Sequence, residues 1–243
     1  MQQRLPSLLG RPIGFAHRGA RAQAADNTLE AFELALKLGA TGLESDVWVT
    51  ADGVAVLDHD GMVRTGFKGL RRHPITGLRR DELPGHIPAL ADLFAACGSD
   101  FHLSLDLKQA GIAQHVIDTC ERAASGFEPN LWLCHPGVTE LAALRDANPA
   151  VRLVNSTRLE RMPNGPERRA ANLAAAGIDA VNLHHSDWNG GLVTLFHRFE
   201  RIAFAWDLQF EHILRPAIRM GIDGVYSDHV DLMTDCIRAE RGA

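Results

Sequence analysis

Short runs of apolar or β-branched residues alternate along the chain with longer stretches in which apolar residues recur at helical spacing. Gly, Pro or Asp marks many of the junctions between them. The pattern predicts eight strands, at 13–19, 43–50, 101–108, 131–135, 151–156, 180–184, 202–206 and 224–227. A predicted helix follows each strand, at 27–38, 88–96, 112–124, 138–147, 167–176, 192–199, 213–220 and 231–241.

The second predicted strand is followed by a different pattern. Asp52-Gly53 separates it from a short apolar run at 54–59, and Asp-Gly between two such runs is a strong hairpin signal. Residues 60–87 contain several Arg, Gly and Pro and predict a small insertion rather than a barrel element.

Eight strand–helix units in 243 residues predict an α/β protein with a closed (β/α)8 TIM barrel. A doubly wound open sheet is the rival arrangement, but it usually carries a Gly-rich phosphate loop after the first strand, and none is present. We find no linker or low-complexity segment, and therefore expect a single domain over 1–243 with the insertion at about 60–87.

The net charge, the apolar runs and the cysteine spacing limit the classes of protein to which this chain can belong. The formal net charge is −5, so the chain lacks the overall positive field that gathers nucleic acid. No apolar run approaches the ~18 residues of a membrane span, and the N-terminus lacks a signal-peptide pattern, so we expect a cytoplasmic protein without stable membrane insertion. The cysteines are far apart and form no CxxC pair, which argues against a zinc or redox site. Oligomeric state is left open.

A TIM barrel forms its active site at the carboxyl ends of its strands, and four predicted strand ends here are rich in polar residues. They are His17-Arg18-Gly19, Glu44-Ser45-Asp46, His59-Asp60 at the hairpin, and Asp106-Leu107-Lys108.

Residues two apart in a strand point to the same face, so Glu44 projects with Asp46, and Asp106 with Lys108. Three carboxylates at one barrel mouth repel each other unless a cation lies between them. Oxygen ligands of this kind suit Mg²⁺ or Ca²⁺. Arg18 and Lys108 would lie beside that cation, and together they would hold a phosphate group.

Two histidines complete the predicted site. His17 and His59 come from separate loops on the same rim, and imidazoles titrate near neutrality, so one can accept a proton while the other donates one. The predicted chemistry is cleavage of a phosphodiester. We also assign Trp206 to the substrate-binding side of the mouth, although tryptophan is more often a packing residue.

The sequence resembles the glycerophosphodiester phosphodiesterases. The resemblance is dense from residue 16 to residue 60 and continues more thinly over most of the chain. The matching motifs are His17-Arg-Gly19, Asn27-Thr-Leu-Glu-Ala-Phe32, Gly39-Ala40, Glu44-Ser-Asp46-Val47, Thr50-Ala-Asp-Gly53, His59-Asp60, Arg64-Thr65, Ile87-Pro-Ala-Leu90, Asp106-Leu-Lys108, Trp206, Gly221-Ile-Asp-Gly224 and Ser227-Asp228.

The resemblance implies a (β/α)8 barrel that hydrolyses glycerophosphodiesters to glycerol 3-phosphate and an alcohol with a divalent metal. In the mechanism proposed for such enzymes, the neighbouring glycerol hydroxyl attacks phosphorus and water then opens the cyclic phosphate. The family's functional residues match positions of this chain that the strand-end pattern had already indicated. Glu44 and Asp46 match metal ligands, His17 and His59 the acid–base pair, Arg18 and Lys108 the phosphate-contacting cations, and 60–87 the family's insertion.

The chain departs from the family pattern in three places. Asp26 stands where a Glu is usual and is equally well placed as a helix N-cap, and Asp106 stands where a Glu usually precedes the lysine. Trp206 is followed by Asp-Leu-Gln rather than Thr-Val-Asn. Three alternatives therefore stay open: a phosphodiesterase that releases a cyclic phosphate, one that acts on lysophospholipids, and a barrel that binds phosphate without turnover.

Overall fold

The computed structural model describes residues 4–65 and 71–240. In chain order its strands are β1 (Ile13–His17), β2 (Gly42–Val49), β3 (Ala55–Leu57), β4 (Met62–Thr65), β5 (Arg71–Pro74), β6 (His102–Leu107), β7 (Leu131–His135), β8 (Arg152–Ser156), β9 (Ala180–His184), β10 (Ile202–Trp206) and β11 (Gly224–Ser227). Its α-helices are α1 (Leu29–Lys37), α2 (Leu90–Cys97), α3 (Ala113–Ala123), α4 (Val138–Arg145), α5 (Gly165–Ala175), α6 (Gly190–Arg198), α7 (Glu211–Arg219) and α8 (Val230–Ala239).

Eight of these strands close into a parallel barrel, as the sequence pattern predicts. β1 pairs in parallel with β11 on one side and with β2 on the other, so the ring β1-β2-β6-β7-β8-β9-β10-β11 has no free edge. A helix lies between each pair of consecutive barrel strands. Among the described residues, no helix is long and apolar enough to cross a bilayer.

The barrel interior is apolar at one end and polar at the other. Aromatic side chains fill it, with the Phe15 and Tyr226 rings stacked at 4.6 Å and the Phe204 ring edge-on to Phe15 at 5.4 Å. Gly42 and Gly224 make room for these rings, because a Cβ at either position would approach Phe15 or Phe204 to 2.5 and 2.6 Å. The functional groups must therefore lie above this packed layer, at the carboxyl ends of the strands.

The predicted hairpin and insertion both follow β2. β3 pairs antiparallel with β2, and Thr50 to Gly53 form the turn between them. The insertion contains a second hairpin in which β4 and β5 pair antiparallel through Met62↔Pro74 and Val63↔His73. Beneath it, Val56, Ile75 and Ile87 belong to a small apolar cluster of their own. Residues 66–70, between β4 and β5, lie outside the described residues.

The start of the first helix differs from the sequence-based expectation. α1 begins at Leu29 rather than residue 27, because Thr28 is the N-cap and accepts a hydrogen bond from the Ala31 N–H. Asp26 is therefore not the N-cap. Trp188 is buried, and its Nε1–H donates to the Phe204 carbonyl oxygen at 2.9 Å. It is therefore a packing residue.

Asp223 organises the end of the barrel opposite the mouth. It is fully buried, and its Oδ1 accepts hydrogen bonds from the Ser7 hydroxyl and the Leu8 N–H, both at 2.6 Å. Its Oδ2 accepts from the Ala203 N–H at 2.7 Å and lies 2.8 Å from His197 Nε2. The carboxylate thus joins the N-terminal segment to α6 and β10.

We expect Asp223→Ala to lower the free energy of unfolding by about 3 kcal/mol, because it leaves several buried or half-buried donors unpaired. Urea unfolding followed by circular dichroism measures the change. Asp235→Ala, an exposed carboxylate on α8, is the matched control and should change stability by less than about 0.5 kcal/mol. Equal effects of the two substitutions would contradict this role for Asp223.

Candidate active site

Three carboxylates from two adjacent strands converge at the barrel mouth. Glu44 and Asp46 lie on β2, and Asp106 lies on β6 directly beside Asp46 in the register of the two strands. Each carboxylate offers one oxygen, and these oxygens all lie within 4.8 Å of one another. Glu44 is 6% and Asp46 2% exposed, so little water screens the negative charges from each other.

Burial and mutual repulsion disfavour the ionised forms of two of these carboxylates. Burial raises the pKa of Glu44 to about 8, and repulsion by Asp46 and Asp106 adds to the effect against the attraction of His17. Burial likewise raises the pKa of Asp106 to about 6, with repulsion by Asp46 as the next cause. Asp46 Oδ2 is buried and accepts no hydrogen bond from a described residue. A buried carboxylate oxygen that accepts no hydrogen bond, beside two other carboxylates, fits a hard divalent cation.

Two basic side chains lie against the cluster. Lys108 Nζ is 2.6 Å from Asp46 Oδ1 and 3.8 Å from Asp106 Oδ2. Burial alone would lower the pKa of Lys108, but the attraction and hydrogen bond of Asp46, together with the attraction of Asp106 and Glu44, outweigh burial and the pKa is raised. Arg18 Nε lies 3.5 Å from Asp46 Oδ2. The ammonium and guanidinium are thus positioned beside the carboxylates, where a phosphate bound to a metal ion would lie.

The backbone of Arg18 has a conformation that few residues other than glycine adopt, with φ at +55°. In this conformation its N–H donates to Glu44 Oε2 at 3.0 Å. Such a backbone costs about 1 kcal/mol and persists where surrounding contacts fix it, often at functional sites. The turn after β1 therefore positions Glu44 through its backbone and contacts Asp46 through its side chain.

His17 is held by a carboxylate that lies 211 residues away in sequence. Its Nδ1 is 2.6 Å from Asp228 Oδ1, and its Nε2 is 3.9 Å from Glu44 Oε2. Burial lowers the pKa of His17, but attraction by Glu44 and the hydrogen bond to Asp228 outweigh burial and the pKa is raised. The Asp228 N–H in turn donates to Gln209 Oε1 at 2.9 Å. Asp228 therefore orients the imidazole through Nδ1, and Nε2 faces Glu44.

The β2–β3 hairpin brings His59 to the same rim. The Trp48 Nε1–H donates to the Asp58 carbonyl oxygen at 2.9 Å, and the Gly61 N–H donates to Asp58 Oδ2 at 2.7 Å. Between these anchored residues, His59 Nδ1 lies 2.8 Å from Asp60 Oδ1. Its side chain is 44% exposed, so it is the more accessible of the two imidazoles.

One cavity of about 630 Å³ at the mouth connects all of these groups. It is lined by each of the eight side chains singled out from the sequence, namely His17, Arg18, Glu44, Asp46, His59, Asp106, Lys108 and Trp206. The structure thus brings together every residue of the predicted site. It also adds lining residues that the sequence did not single out for a role, among them Arg158, Asn182, Gln209 and Tyr226.

The wall of the cavity around Trp206 is polar. The Arg158 guanidinium lies 5.8 Å from the centroid of the Trp206 ring, which is the range of a cation–π contact. Asp187 holds Arg158 with Nε–Oδ2 and Nη2–Oδ1 distances of 2.8 and 3.2 Å. The indole is therefore packed against a paired cation on this wall.

The model of the glycerophosphoryl diester phosphodiesterase family matches residues 17–232, a range that includes all of these side chains. The chain belongs to this family. Membership places it among the phosphoric diester hydrolases.

Comparisons with individual proteins agree with this family assignment. A Mycobacterium tuberculosis protein named probable glycerophosphodiester phosphodiesterase 2 is 27% identical over 245 residues, covering 95% of this chain and 92% of the relative. A glycerophosphodiester phosphodiesterase structure from Thermotoga maritima has a TM-score of 0.78 and 24% identity, covering 92% of this chain and 97% of that one. An Oleispira antarctica phosphodiesterase, solved with the product sn-glycerol-3-phosphate, has a TM-score of 0.78 and 21% identity over 94% and 97% of the two chains. Both structures share the barrel fold.

Two of the three departures from the family's usual sequence leave the side chain concerned at the site, and the third, Asp26, lies beside it. Although Asp106 is one methylene shorter than Glu, its carboxylate lies within the cluster of three. Asp26 lies outside the cluster and pairs with Arg18 Nη1 and Arg21 Nε, at 3.5 and 3.6 Å. Trp206 lines the cavity although the three residues after it differ from the family pattern.

Sequence reasoning assigned no role to Asp228, the partner of His17. Its position after a predicted strand, in Ser227-Asp228, was the available signal. The pairing itself depends on the contact between β1 and β11 that closes the barrel, which no local pattern encodes.

Proposed function

We propose that this protein hydrolyses glycerophosphodiesters to glycerol 3-phosphate and an alcohol, with a divalent metal ion and the two histidines as acid and base. The observation that supports this most directly is the convergence of three carboxylates, two cations and two imidazoles on one cavity. Family membership, the names of the relatives and the glycerol-3-phosphate complex of a structural neighbour support the same substrate class.

Glu44, Asp46 and Asp106 are the side chains that would hold the metal. Mg²⁺ or Ca²⁺ fits their hard oxygen donors, the mutual repulsion of the carboxylates, and an Asp46 Oδ2 that accepts no hydrogen bond from a described residue. When bound, such an ion supplies positive charge that stabilises the charge developing on the phosphate oxygens.

The remaining side chains bind and orient the phosphodiester. Arg18 and Lys108 lie beside the carboxylates and would contact the phosphate oxygens that the metal leaves free. Trp206 lies on another part of the cavity wall and would contact the organic part of the substrate. The packed aromatic layer below the mouth closes the cavity from beneath, so the substrate enters from the open end of the barrel.

Proton transfer falls to His17 and His59. One imidazole accepts the proton of the attacking hydroxyl as its oxygen bonds to phosphorus, and the other donates a proton to the alcohol oxygen as its bond to phosphorus breaks. The attacking hydroxyl is first that of the neighbouring glycerol carbon, and water then opens the cyclic phosphate. Asp228 and Asp60 hold the Nδ1 atoms of the two rings, which leaves each Nε2 for these transfers.

The substrate class is tested by assaying glycerophosphocholine, glycerophosphoethanolamine, glycerophosphoglycerol and a lysophospholipid with Mg²⁺ and with Ca²⁺, and identifying the products. We expect release of glycerol 3-phosphate from the water-soluble diesters. A cyclic phosphate as the final product, or turnover confined to the lysophospholipid, would support one of the other phosphodiesterase activities instead. Binding without turnover of any diester would indicate a non-catalytic barrel.

The pKa of Glu44 predicts how metal affinity depends on pH. In the metal-free protein this carboxyl, with a pKa of about 8, holds a proton at neutral pH that the metal must displace. We therefore expect Mg²⁺ affinity to rise about tenfold per pH unit between pH 6.5 and 7.5, with release of about one proton. Calorimetry in two buffers of different protonation enthalpy measures both quantities.

A variant at position 44 serves as the control for this experiment. Glu44→Gln should weaken Mg²⁺ binding and remove most of the pH dependence, because the amide does not titrate. Equal Mg²⁺ affinity of the unchanged protein at pH 6.5 and 7.5, without proton release, would contradict binding of the ion by the Glu44 carboxylate.

A further inference from the structure

A second group of metal-ligating side chains lies at the barrel mouth, separate from the three carboxylates. His184 ends β9, His185 follows it, and Asp207 comes directly after Trp206 at the end of β10. The parallel register pairs His184 with Trp206, which brings the two strand ends side by side. Two ring nitrogens and one carboxylate oxygen of this group lie within 4.8 Å of one another.

Two of these side chains are already oriented by neighbouring groups. His184 Nε2 lies 3.2 Å from Asp207 Oδ2, so the two atoms that would bind one ion already face each other. His184 Nδ1 lies 2.7 Å from the Ser186 hydroxyl oxygen and accepts a hydrogen bond from the Ser186 N–H at 3.2 Å, so without an ion the ring proton is on Nε2 and faces Asp207. An ion bound at Nε2 replaces that proton, and Nδ1 can then donate to the Ser186 hydroxyl oxygen. Asp207 Oδ1 accepts from the Gln209 Nε2–H at 3.2 Å, which leaves Oδ2 for the ion. Partners of this kind commonly fix the ligands of metal sites.

The donor set determines which ion fits. Two imidazoles and one carboxylate suit Zn²⁺ and related transition-metal ions, whereas Mg²⁺ and Ca²⁺ prefer oxygen alone. In a tetrahedral zinc site the ligand atoms lie about 3.4 Å apart, as follows from bonds of about 2.1 Å. The His184–Asp207 pair matches that spacing at 3.2 Å, and a His185 ring nitrogen lies within 4.8 Å of a donor atom of each.

We propose that His184, His185 and Asp207 form a transition-metal site that binds Zn²⁺, with water as the fourth ligand. The site differs from the Glu44, Asp46 and Asp106 cluster in both position and donor chemistry. Asp207 lines the same cavity as the catalytic groups, so the bound ion lies on the cavity wall. The proposal does not depend on the hydrolytic function.

The test measures Zn²⁺ binding by competition with a chromophoric chelator, in protein saturated with Mg²⁺. We expect His185→Ala and Asp207→Asn each to weaken Zn²⁺ binding at least tenfold. Asn is suited to position 207 because the backbone there has φ at +65°, a region that Asn tolerates. Circular dichroism and thermal unfolding establish that each variant is folded.

Two further variants locate the ion. His212→Ala removes an exposed imidazole on α7 that stacks on Phe210, and it should leave Zn²⁺ affinity unchanged. The double variant Glu44→Gln/Asp46→Asn should also keep its Zn²⁺ affinity, because it changes only the oxygen cluster. Unchanged affinity in His185→Ala and Asp207→Asn would overturn the proposal, and so would loss of Zn²⁺ binding in the double variant alone.

Discussion

Alanine in place of His17 or His59 is expected to lower kcat for glycerophosphodiester hydrolysis about 100-fold or more, while the protein stays folded. Each substitution removes one of the two imidazoles that the proposed mechanism uses to move a proton between oxygen atoms. Each substitution also removes the ring whose Nδ1 contacts a carboxylate, that of Asp228 for His17 and that of Asp60 for His59. Steady-state kinetics with circular dichroism as a fold check measures the effect.

His115→Ala is the matched control for the two histidine variants. His115 lies on α3, in the outer ring of helices, and does not line the cavity. We expect its variant to keep nearly the activity of the unchanged protein. Near-full activity of both His17→Ala and His59→Ala would refute the assignment of proton transfer to these residues.

Removing the metal is expected to have an equally large effect. Treatment with a chelator should abolish turnover, and added Mg²⁺ or Ca²⁺ should restore it. Asp46→Asn should lose activity in a way that added metal does not restore, because Asp46 is the most buried of the three carboxylates and contacts both Lys108 and Arg18. Metal titration of the activity measures both effects.

Asp100→Asn supplies the comparison for that variant, since Asp100 is an exposed carboxylate before β6. It should respond to chelator and metal like the unchanged protein. Turnover that is indifferent to the chelator would show that the carboxylate cluster does not act through a divalent ion.

The fold was predictable because each barrel element carries its own local signal. Buried strands appear as short apolar runs, and the helices that cover them show helical spacing with Gly or Pro at many ends. The exposed hairpin of β4 and β5 was not predictable in this way. β5 is Arg71-Arg-His-Pro74, and its side chains are mostly exposed, so it shows no alternation of apolar and polar positions.

The residues of the candidate site were predictable where they lie at the ends of barrel strands. Glu44, Asp46 and Asp106 stand two apart or in register on neighbouring strands, so the barrel fold itself brings them together. The support for these residues comes from contacts distant in sequence. The Asp228 carboxylate reaches His17 only when β11 pairs with β1, and the Arg158 guanidinium reaches Trp206 only across β9.

The most direct test of the central claim is a ³¹P NMR time course of glycerophosphocholine with the purified protein in three states: with Mg²⁺, with excess chelator, and with Mg²⁺ restored. The carboxylate cluster and the two histidines predict that the diester signal is replaced by that of glycerol 3-phosphate in the first and third states and persists in the second. A diester signal unchanged in all three states, or one lost equally with the chelator, would contradict a metal-dependent glycerophosphodiester phosphodiesterase.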